Sequence, residues 1–564
     1  MQGIHQQPYP VKTEDFSKGM DDRNKAWLIA VNAAPYLQNF NIQKEGAATR
    51  RDGTTSIGAA SGPTNSNLPY GLFKFFDRKT FDTEVLYSVY GNKAYLFPGN
   101  SQVLEKACGA SLTSALHMAS RGIWTVGGTI ADTIFISNAQ LNDSNVSLAS
   151  KLLAIDVDQQ FSANVSMAPL CTTWWQGRLW VGGNRLAETT DTLWWSALND
   201  GLSYSLTNSA RIEPGRGGRI TGLHPPRAQT NRLLIFKEDM IAVLEVYWGT
   251  SSSQIPAPSD ALDTIASSIR VVSENIGCVA TRSIQGVAGA PAGDIFFLAK
   301  DGVRAISRAT DDTISGAALP VSARIQAQID RINYAYAHKA VSGVWNQMYH
   351  LAVPMDGATE NSHVLSYDFI NDAWHINTWD AKDFAVARLN QTQDRLLLQN
   401  NVNTLDSTAS GLTQGWHVFR TYSGGVDPNN EAVKFQMDTR AYGFGSLEQR
   451  KRWSWFGIHC ENDTATSVID VFYRVDDGDW VFKESVTYPV AGGNLITLGV
   501  TPLPWQPQGA AINMRKIGLE DVPVGYLIQF RLGQTSVTDF GHPSILMTSA
   551  AARIIDPEFD NTIT

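Results

Sequence analysis

The chain has 564 residues, of which 43% are hydrophobic, 10% aromatic and 18% charged, and its formal net charge is −9. The apolar content excludes a disordered chain, and the acidic balance argues against a protein that grips nucleic acid over a broad surface, because such binding needs a basic footprint. Since a typical domain has ~150 residues, two to four domains are expected.

Residues 1–67 show little of the alternation that marks β-strands and are expected to form an N-terminal arm and a platform strand. The stretch 56–67 is rich in Gly, Ser, Asn and Pro, which is typical of a loop. Asp21 and Asp22 stand where a signal peptide would be apolar. Because a membrane helix needs about 18 consecutive apolar residues, and no such run occurs, neither a cleaved export signal nor a membrane span is expected.

Residues 68–425 repeat one pattern, a short β-rich run, a polar turn and a second β-rich run. Such hairpins are predicted at 88–97, 233–246 and 347–369, and their centres recur about every 40 to 60 residues along the chain. This spacing is typical of propeller blades, in which radial stacking covers both faces of each small sheet. The sequence therefore predicts an irregular β-propeller of six or seven blades, some incomplete. Unrelated hairpins in sandwiches would give similar spacing.

After about residue 425 the pattern changes. Residues 434–440, 453–459 and 467–475 alternate between polar and apolar side chains, and the last run leads into an acidic turn at 476–479. Alternation of this kind is typical of strands with one buried face. Residues 426–564 are therefore expected to form an additional antiparallel β-sandwich. The whole chain is predicted to be all-β.

Sequence motifs of catalysis are absent: there is no nucleophile elbow, zinc-protease motif, P-loop or dinucleotide-binding glycine motif. His338, His350, His363 and His375 are evenly spaced and suggest a metal ring, but nothing fixes which way they face. The four cysteines lack metal-ligand spacing and are expected to be buried thiols. No catalytic residue, metal or cofactor is therefore predicted, and the chain is not expected to be an enzyme.

Two turns and two tryptophan pairs have competing interpretations. Residues 213–219 (EPGRGGR) form either a backbone nest for a phosphate or a flexible turn. The acidic turn at 476–480 is similar to the Asp-box of sialidase-type propellers, but Arg474 replaces the expected hydroxyl residue, so a hairpin turn is favoured. Trp174-Trp175 and Trp194-Trp195 offer stacking platforms for sugars, yet adjacent strand residues point to opposite faces, which favours packing.

Residues 175–183 (WQGRLWVGG), followed by 193–196 (LWWS) and 199–204 (NDGLSY), resemble a run found in tail proteins of short-tailed bacteriophages. The family is that of the nozzle, or tail tubular protein B, together with the related DNA-stabilisation proteins that plug the tail. Further similar stretches follow in the family's order: 220–223, 233–236, 241–244, 276–280, 294–302, 365–374, 450–452 and 476–480. Residues 39–42, Gly46 and 51–53 (RDG) resemble the family's opening strand, although Asp52 stands where Pro is common.

The resemblance implies a structural virion protein without an active site. Members of this family form a ring, usually of six copies, below the portal and adaptor proteins, and their propellers surround the channel through which DNA is retained and ejected. The implied partners are other copies of the chain, the portal and adaptor, tail fibre or tailspike proteins, and genomic DNA in transit without sequence-specific binding. The implied location is the virion tail, assembled in the host cytoplasm.

Within this interpretation two sets of residues are candidates. The polar insertion at 251–268 is a candidate channel or gate loop, represented by Ser251, Ser252, Ser253, Gln254, Asp260 and Asp263. Arg50 and Arg51 form a basic pair beside a glycine turn and are candidates for docking an acidic neighbouring ring, with a solvated turn as the alternative.

Two other classes of protein are compatible with the sequence. A carbohydrate-binding or carbohydrate-cleaving propeller, such as a receptor-binding tail component, would carry a concave pocket, and a cleaving one would pair two carboxylates there. An intracellular scaffold propeller is supported only by the lack of a signal peptide.

Overall fold

The computed structural model describes twenty-seven stretches of the chain, and the statements below concern these. They are residues 9–13, 15–42, 46–57, 69–77, 83–90, 93–97, 104–107, 118–126, 129–137, 152–156, 161–164, 169–183, 190–196, 208–226, 231–246, 269–287, 295–307, 313–315, 319–388, 393–402, 415–424, 426–427, 432–444, 447–462, 466–488, 513–534 and 543–554.

The described chain is almost entirely β-structure, as predicted. Its helices are short: 3-10 helices at Thr281–Ser283, Val321–Ile325 and Ala337–Lys339, and one α-helix, α1, at Gln326–Ile329. No helix in these stretches is long and apolar enough to cross a bilayer.

Five short strands come first in the chain: β1 (Tyr9–Thr13), β2 (Tyr36–Gln38), β3 (Phe40–Ile42), β4 (Ala48–Arg50) and β5 (Thr54–Ser56). Three four-stranded antiparallel sheets follow. The first contains β6 (Pro69–Asp77), β7 (Thr83–Tyr90), β8 (Lys93–Phe97) and β9 (Leu104–Ala107). The second contains β10 (Met118–Val126), β11 (Thr129–Ser137), β12 (Leu152–Asp156) and β13 (Phe161–Asn164). The third contains β14 (Cys171–Trp175), β15 (Arg178–Gly182), β16 (Thr192–Trp195) and β17 (Ser209–Arg211).

Four more such units continue the series. The fourth contains β18 (Ile220–His224), β19 (Arg232–Lys237), β20 (Ile241–Glu245) and β21 (Ile269–Ser273). The fifth contains β22 (Gln285–Gly286), β23 (Ile295–Ala299), β24 (Gly302–Ser307) and β25 (Thr313–Ser315). The sixth contains β26 (Val341–Trp345), β27 (Met348–Val353), β28 (His363–Asp368) and β29 (Ala373–Asn377). The seventh contains β30 (Asp383–Ala387), β31 (Arg395–Val402) and β32 (Gly415–Thr421), and its fourth strand is β5.

These seven units are the blades of a closed β-propeller. Along a strand, apolar residues alternate between the two faces of a blade. In β19, Leu233 and Ile235 pack toward the third blade, whereas Leu234 and Phe236 pack toward the fifth. Further clusters fill the space between the fifth and sixth blades and between the sixth and seventh. Leu72 and Leu86 of the first blade pack against Leu397 of the seventh, which closes the disc.

Tight turns explain why the sequence forms these hairpins. Gln176 and Gly177 have φ of 50° and 73°, and Asn346 and Gln347 have φ of 50° and 61°. Two successive positive φ values match the right-handed twist of the flanking strands. The strands predicted at 88–90 and 93–97 lie within β7 and β8.

The remaining strands form the predicted sandwich: β33 (Gln436–Asp438), β34 (Lys451–Asn462), β35 (Ser467–Val475), β36 (Val481–Tyr488), β37 (Asn513–Gly518), β38 (Ile528–Gly533) and β39 (Pro543–Ile554). One sheet has the order β3-β4-β39-β34-β37, with β1 also paired to β39. The other runs β2-β33-β38-β35-β36 and continues through β2 into the sixth blade, giving nine strands. The stacked rings of Phe456 and Phe530 lie between the sheets.

The N-terminal residues do not form a body of their own in this structure. Strands β1 to β4 belong to the sandwich, and β5 belongs to the last blade. The expected division near residue 425 falls between β32 and β33. The sandwich is therefore assembled from both ends of the chain, with the propeller between them.

Candidate functional site

Arg50 and Arg51, the proposed docking pair, are both buried within their own chain. The Arg50 Nη1 lies 3.5 Å from the Val433 carbonyl and from Gln534 Oε1, inside the sandwich. Arg51 donates from Nη1 and Nη2 to the two oxygens of Asp427, at 2.8 and 2.7 Å. An exposed, solvated turn is therefore wrong for these residues. Docking to a neighbouring ring stays a prediction, but in this conformation both guanidinium groups face inward.

Around Arg51 lies a connected group that we call the closure site: Asn39, Arg51, Gly53, Trp379 and Asp427. The Arg51 guanidinium carbon lies 4.5 Å from the centre of the Trp379 ring, and Trp379 Nε1 donates to Asp427 Oδ1 at 3.3 Å. A bidentate, buried and stacked arginine of this kind has little freedom to move.

Asn39 joins three parts of the fold in the closure site. Its Oδ1 accepts hydrogen bonds from Arg51 Nε at 2.9 Å and from the Thr378 N–H at 3.0 Å. Its Nδ2 donates to the Lys434 carbonyl at 2.6 Å. Thr378 follows the sixth blade and Lys434 precedes β33, so this one amide connects the propeller, the sandwich and the N-terminal segment.

Gly53 allows the backbones to approach each other closely where the propeller closes. Its N–H donates to the Gly424 carbonyl at 2.8 Å. A Cβ placed at this position would lie 2.0 Å from the Val426 carbonyl oxygen. The following strand β5 then pairs Thr54, Ser56 and the residue between them with β32. The RDG motif at 51–53 is therefore structural: it anchors the strand that completes the disc.

The proposed gate loop falls outside the described residues. Ser251, Ser252, Ser253, Gln254, Asp260 and Asp263 belong to the stretch 247–268, and their role stays a prediction.

His350 and His375 lie on adjacent parts of the sixth blade, on either side of Ser366. The register pairs His350 with Ser366 and Ser366 with His375. His350 Nδ1 lies 2.9 Å from Ser366 Oγ, whereas His350 Nε2 and both ring nitrogens of His375 have no hydrogen-bond partner. Burial, together with the neighbouring His375, lowers the pKa of His350 to about 3, and burial and the Arg51 charge lower that of His375 to about 4. Both rings are therefore neutral at pH 7.

The four spaced histidines do not converge on one site. His363 Nδ1 bonds to Ser362 Oγ at 3.0 Å, and His338 stacks beside Tyr336. Across the described stretches no group of three or more His, Cys, Asp or Glu side chains is placed to hold a metal ion.

The tryptophans and the acidic turn have packing roles. The rings of Trp175, Trp180 and Trp195 lie against one another in the cluster between the third and fourth blades, with centroids 5.3 and 5.1 Å apart. Asp476 Oδ1 accepts from the N–H groups of Tyr526 and Leu527 at 2.8 Å each. The acidic turn is thus a hairpin turn held to the next strand pair, as favoured from the sequence.

An ion pair links the fifth and seventh blades. The first strands of neighbouring blades contact one another here, β26 with β30 and β30 with β6. Arg282 precedes the fifth blade, and its guanidinium pairs with Asp383 at the start of the seventh. Asp383 also accepts a hydrogen bond from the Leu72 N–H of the first blade. Burial raises the pKa of the Asp383 carboxyl, and the Arg282 charge opposes this rise.

On one rim of the disc, between the third and fourth blades, lies a pocket of about 320 Å³ that we call the loop pocket. It is lined by Thr190, Asp191, Gly215, Gly218, Arg219 and Glu238. Three connections supply these residues: the one before β16, the one from β17 to β18, and the β19–β20 turn. The glycine-rich turn at 213–219 therefore forms one wall of a real concavity.

Arg219 and Glu238 are neighbours across the end of a strand pair. Ile220 pairs with Lys237 in the sheet, and the Glu238 N–H donates to the Arg219 carbonyl at 3.1 Å. Arg219 and Glu238 lie directly beyond the ends of β18 and β19, next to the buried Ile220 and Lys237. An acidic and a basic residue thus both line the pocket.

Two charged residues beneath the pocket hold its walls in place. The buried Lys237 donates from Nζ to the carbonyls of Ile212 (2.9 Å), Glu213 (3.2 Å) and Arg216. Asp191 pairs with Arg211, at 3.0 Å to Nη2. Burial acts to raise the pKa of Asp191. This effect is outweighed by the hydrogen bond and charge of Arg211, by the charge of Lys237 and by the Gly215 N–H, so the pKa of Asp191 is lowered. Asp191 is therefore an ionised, engaged carboxylate.

Sequence reasoning found the glycine turn of the pocket but missed Thr190, Asp191 and Glu238. These residues are separated in the chain and carry no motif; the Lys237-Glu238-Asp239 run had only the signature of a hairpin turn. Only the stacking of the third blade on the fourth brings them together.

Comparisons with known proteins add little to this geometry. No protein-family model and no curated protein matches the chain. Among solved structures, a crystal structure of the exo-β-1,3-galactanase Pc1,3Gal43A from Phanerochaete chrysosporium with galactose is similar at 11% identity and a TM-score of 0.24, covering 78% of this chain and 99% of that one. A similarity this distant supports no statement about function.

Proposed function

We propose that this chain is a structural virion protein that forms the ring-shaped tail nozzle of a short-tailed bacteriophage, below the portal and adaptor. In this role it is a channel and gate for DNA retention and ejection, contacts tail fibre or tailspike proteins, and catalyses no reaction. It assembles into the virion in the host cytoplasm, most simply as a ring of six.

One observation carries the proposal. Stretches that resemble the nozzle family near the two ends of the chain, 39–42 and 450–452, contribute strands to a single sandwich, and the stretches between them that the structure describes lie on or beside the third to sixth blades. A resemblance built from weak hairpin motifs gains support when its parts occupy equivalent positions in one architecture.

The packing of the inner strands bears on where a channel would lie. Strand β30 contacts both β26 and β6, and Arg282 before the fifth blade pairs with Asp383 of the seventh. We therefore expect no passage for a DNA duplex through one propeller. In a ring, the passage would run between the subunits, with each propeller standing beside it.

The charge of the chain suits a passage better than a binding surface. A net charge of −9 per subunit, repeated around a ring, repels phosphate. Tight binding would slow ejection, since every released counterion strengthens the hold on DNA.

Cleavage of carbohydrate, one form of the alternative function, is not favoured by the loop pocket. A glycosidase needs one carboxylic acid with a raised pKa beside a second carboxylate. Asp191 has a lowered pKa and is committed to Arg211.

The test measures assembly directly. Mass photometry and negative-stain electron microscopy of the purified full chain, alone and mixed with portal–adaptor complexes of the same phage, should show closed rings attached to the adaptor. Fluorescence anisotropy with a short DNA duplex should show weak, salt-sensitive binding. A chain that stays monomeric at micromolar concentration, both alone and with the portal–adaptor complexes, would contradict the proposal.

A further inference from the structure

One sheet of the sandwich has an outer surface that is predominantly basic. Phe456 and Ile458 of β34 belong to the core between the two sheets. Because strand side chains alternate, the neighbouring Trp455, Gly457 and His459 face away from that core. We call this outer surface, formed by β1, β39, β34 and β37, the basic face.

Two lysines lie in one row across the basic face. Lys12 of β1 pairs with Ser549 of β39. Ser549 pairs with Gly457 of β34, which in turn pairs with Lys516 of β37. Both lysine side chains are exposed, and the Lys516 ammonium lies 4.6 Å from the centre of the Trp455 ring. The row therefore carries two positive charges on either side of small residues.

Two arginines lie directly opposite each other at one end of the basic face. The register pairs Arg452 of β34 with Arg553 of β39, and both side chains are exposed. Within the described stretches neither guanidinium has an ion-pair partner. Like charges placed directly opposite each other destabilise a sheet. Glu461 lies toward the other end of β34 and Glu520 beyond the end of β37, so positive charge predominates over the face.

The basic face also presents apolar side chains. Trp455 and Met547 are half-buried, and Met514 is 40% exposed. Tryptophan, methionine and arginine are residue types that are enriched in protein–protein interfaces. The partner that we expect is therefore a protein surface that is acidic and partly apolar.

The acidic turn, residues 476–479, extends the other sheet of the sandwich and has such a surface. Asp477 is 63% exposed, and it lies 4.0 Å from its nearest cation, Arg474. The Arg474 guanidinium is engaged by Trp480, whose ring centre lies 4.8 Å away. Asp479 is exposed and has no ion-pair partner among the described residues. The turn therefore carries carboxylates that its own chain leaves largely uncompensated.

Exposed apolar side chains accompany the acidic turn, as they do the basic face. Val481 and Phe482 begin β36 directly after the turn, and they are 46% and 54% exposed. The turn belongs to one layer of the sandwich and the basic face to the other. A predominantly basic surface repels a second copy of itself, which disfavours a two-fold dimer through this face. A head-to-tail contact joins two different surfaces of one chain and closes into a ring.

We propose that the basic face of one copy binds the acidic turn of the next copy. Lys516 and the paired arginines would then lie opposite Asp477 and Asp479, with the apolar side chains of both surfaces between the two copies. This inference rests on the proposed ring and names the two surfaces that hold it together. Each copy contributes one surface to each of its neighbours, and the propellers remain beside the passage.

The test reverses the charge of each surface in the full chain. The face variant carries Lys516→Glu and Arg553→Glu, and the turn variant carries Asp477→Lys and Asp479→Lys. Sedimentation velocity of either variant alone should show that the concentration needed for assembly rises about tenfold or more, because like charges then meet. An equimolar mixture of the two variants should assemble again, because each reversed surface meets its opposite on the other variant.

Lys300→Glu with Arg388→Glu is the matched control. Both side chains are 62% exposed on the propeller, and their reversal changes the net charge as much as the face variant does. Assembly of this control should equal that of the native chain. Lys12→Glu with Arg452→Glu is a second face variant, which replaces the first if that one fails to fold.

The outcomes separate the contact from the nozzle function. If each variant assembles alone like the native chain, or if the folded variants stay apart when mixed, the contact is wrong, while native rings on portal–adaptor complexes would still support the nozzle. If assembly responds to the reversals as expected but native rings do not bind those complexes, the contact is supported and the nozzle is contradicted. A native chain that never self-associates contradicts both.

Discussion

The closure site and the loop pocket are built from the same residue types, arginine, glycine and acidic side chains, and use them in opposite ways. At the closure site Arg51 is fully buried and its partner Asp427 is partly buried. At the loop pocket Arg219 and Glu238 stand at a rim with open space beside Gly215. The difference shows that a short Arg-Gly motif has no fixed function: the depth at which the fold places it determines whether it holds strands together or lines a surface pocket.

The largest effect is expected from Arg51→Ala. It leaves Asp427 and the Asn39 amide oxygen without their partner inside the fold, and removal of one member of a buried pair costs about 3–5 kcal/mol. Arg51→Lys keeps the charge but not the bidentate geometry, so its free energy of unfolding should lie between those of the native chain and Arg51→Ala. Urea unfolding followed by tryptophan fluorescence measures both. A loss below about 1 kcal/mol for the alanine variant would mean that this pair behaves like a surface salt bridge.

A matched glycine pair tests the same contrast through sterics. Gly53→Ala forces a Cβ against the Val426 backbone and should cost about 3 kcal/mol, with loss of the β5–β32 pairing. In Gly215→Ala the added methyl group meets no atoms. The variant should therefore lose only about 1 kcal/mol of stability, from the strain of a positive φ. Thermal unfolding of the two variants, with hydrogen exchange at 415–421, gives the comparison. Equal losses would contradict the assignment of Gly53 to the closure.

Acid should destabilise the sixth blade beside the closure site. His350 and His375 are buried with pKa values of about 3 and about 4, whereas an unfolded histidine titrates near 6.5. Their contribution to stability is complete above pH 6.5 and is lost as pH falls toward the folded values, since the unfolded chain then binds more protons.

The His375→Gln variant measures this contribution. Below pH 6.5 its stability should fall less steeply than that of the native chain, by about 1.4 kcal/mol per pH unit. The same variant at pH 8 is the control, because both histidines are neutral there. If the free energies of unfolding of the two proteins changed in parallel between about pH 4.5 and 6.5, His375 would not be the buried neutral group described.

The smallest effect on stability is expected at the loop pocket. Glu238→Gln removes a half-buried charge at the loop pocket and should change the free energy of unfolding by less than about 0.5 kcal/mol. Urea unfolding beside Asp239→Asn checks this. If Glu238→Gln lost as much free energy of unfolding as Arg51→Ala, Glu238 would be a residue that holds the fold together.

Sequence reasoning went furthest where the signal is local. Hairpins with polar turns, such as β7–β8 and β19–β20, could be recognised because alternation and turn residues lie within ten or so positions, the range over which such patterns operate. The same reasoning placed Arg51 and Gly53 beside a turn and identified 213–219 as a glycine-rich turn. It did not find Asp427 or Trp379 as partners of Arg51, nor Glu238 as the partner of Arg219, since no local pattern relates them.

The all-β character of the chain, its repeated small sheets and its change of pattern near residue 425 follow from residue order alone, because strand alternation and turn chemistry involve near neighbours. The tertiary structure decided the rest: that the first residues complete the last blade and share the sandwich with the C-terminus, that Arg51 lies inside, and that three separate connections enclose one pocket. These features depend on contacts between residues far apart in the chain, where pairing is set by packing and closure of the disc.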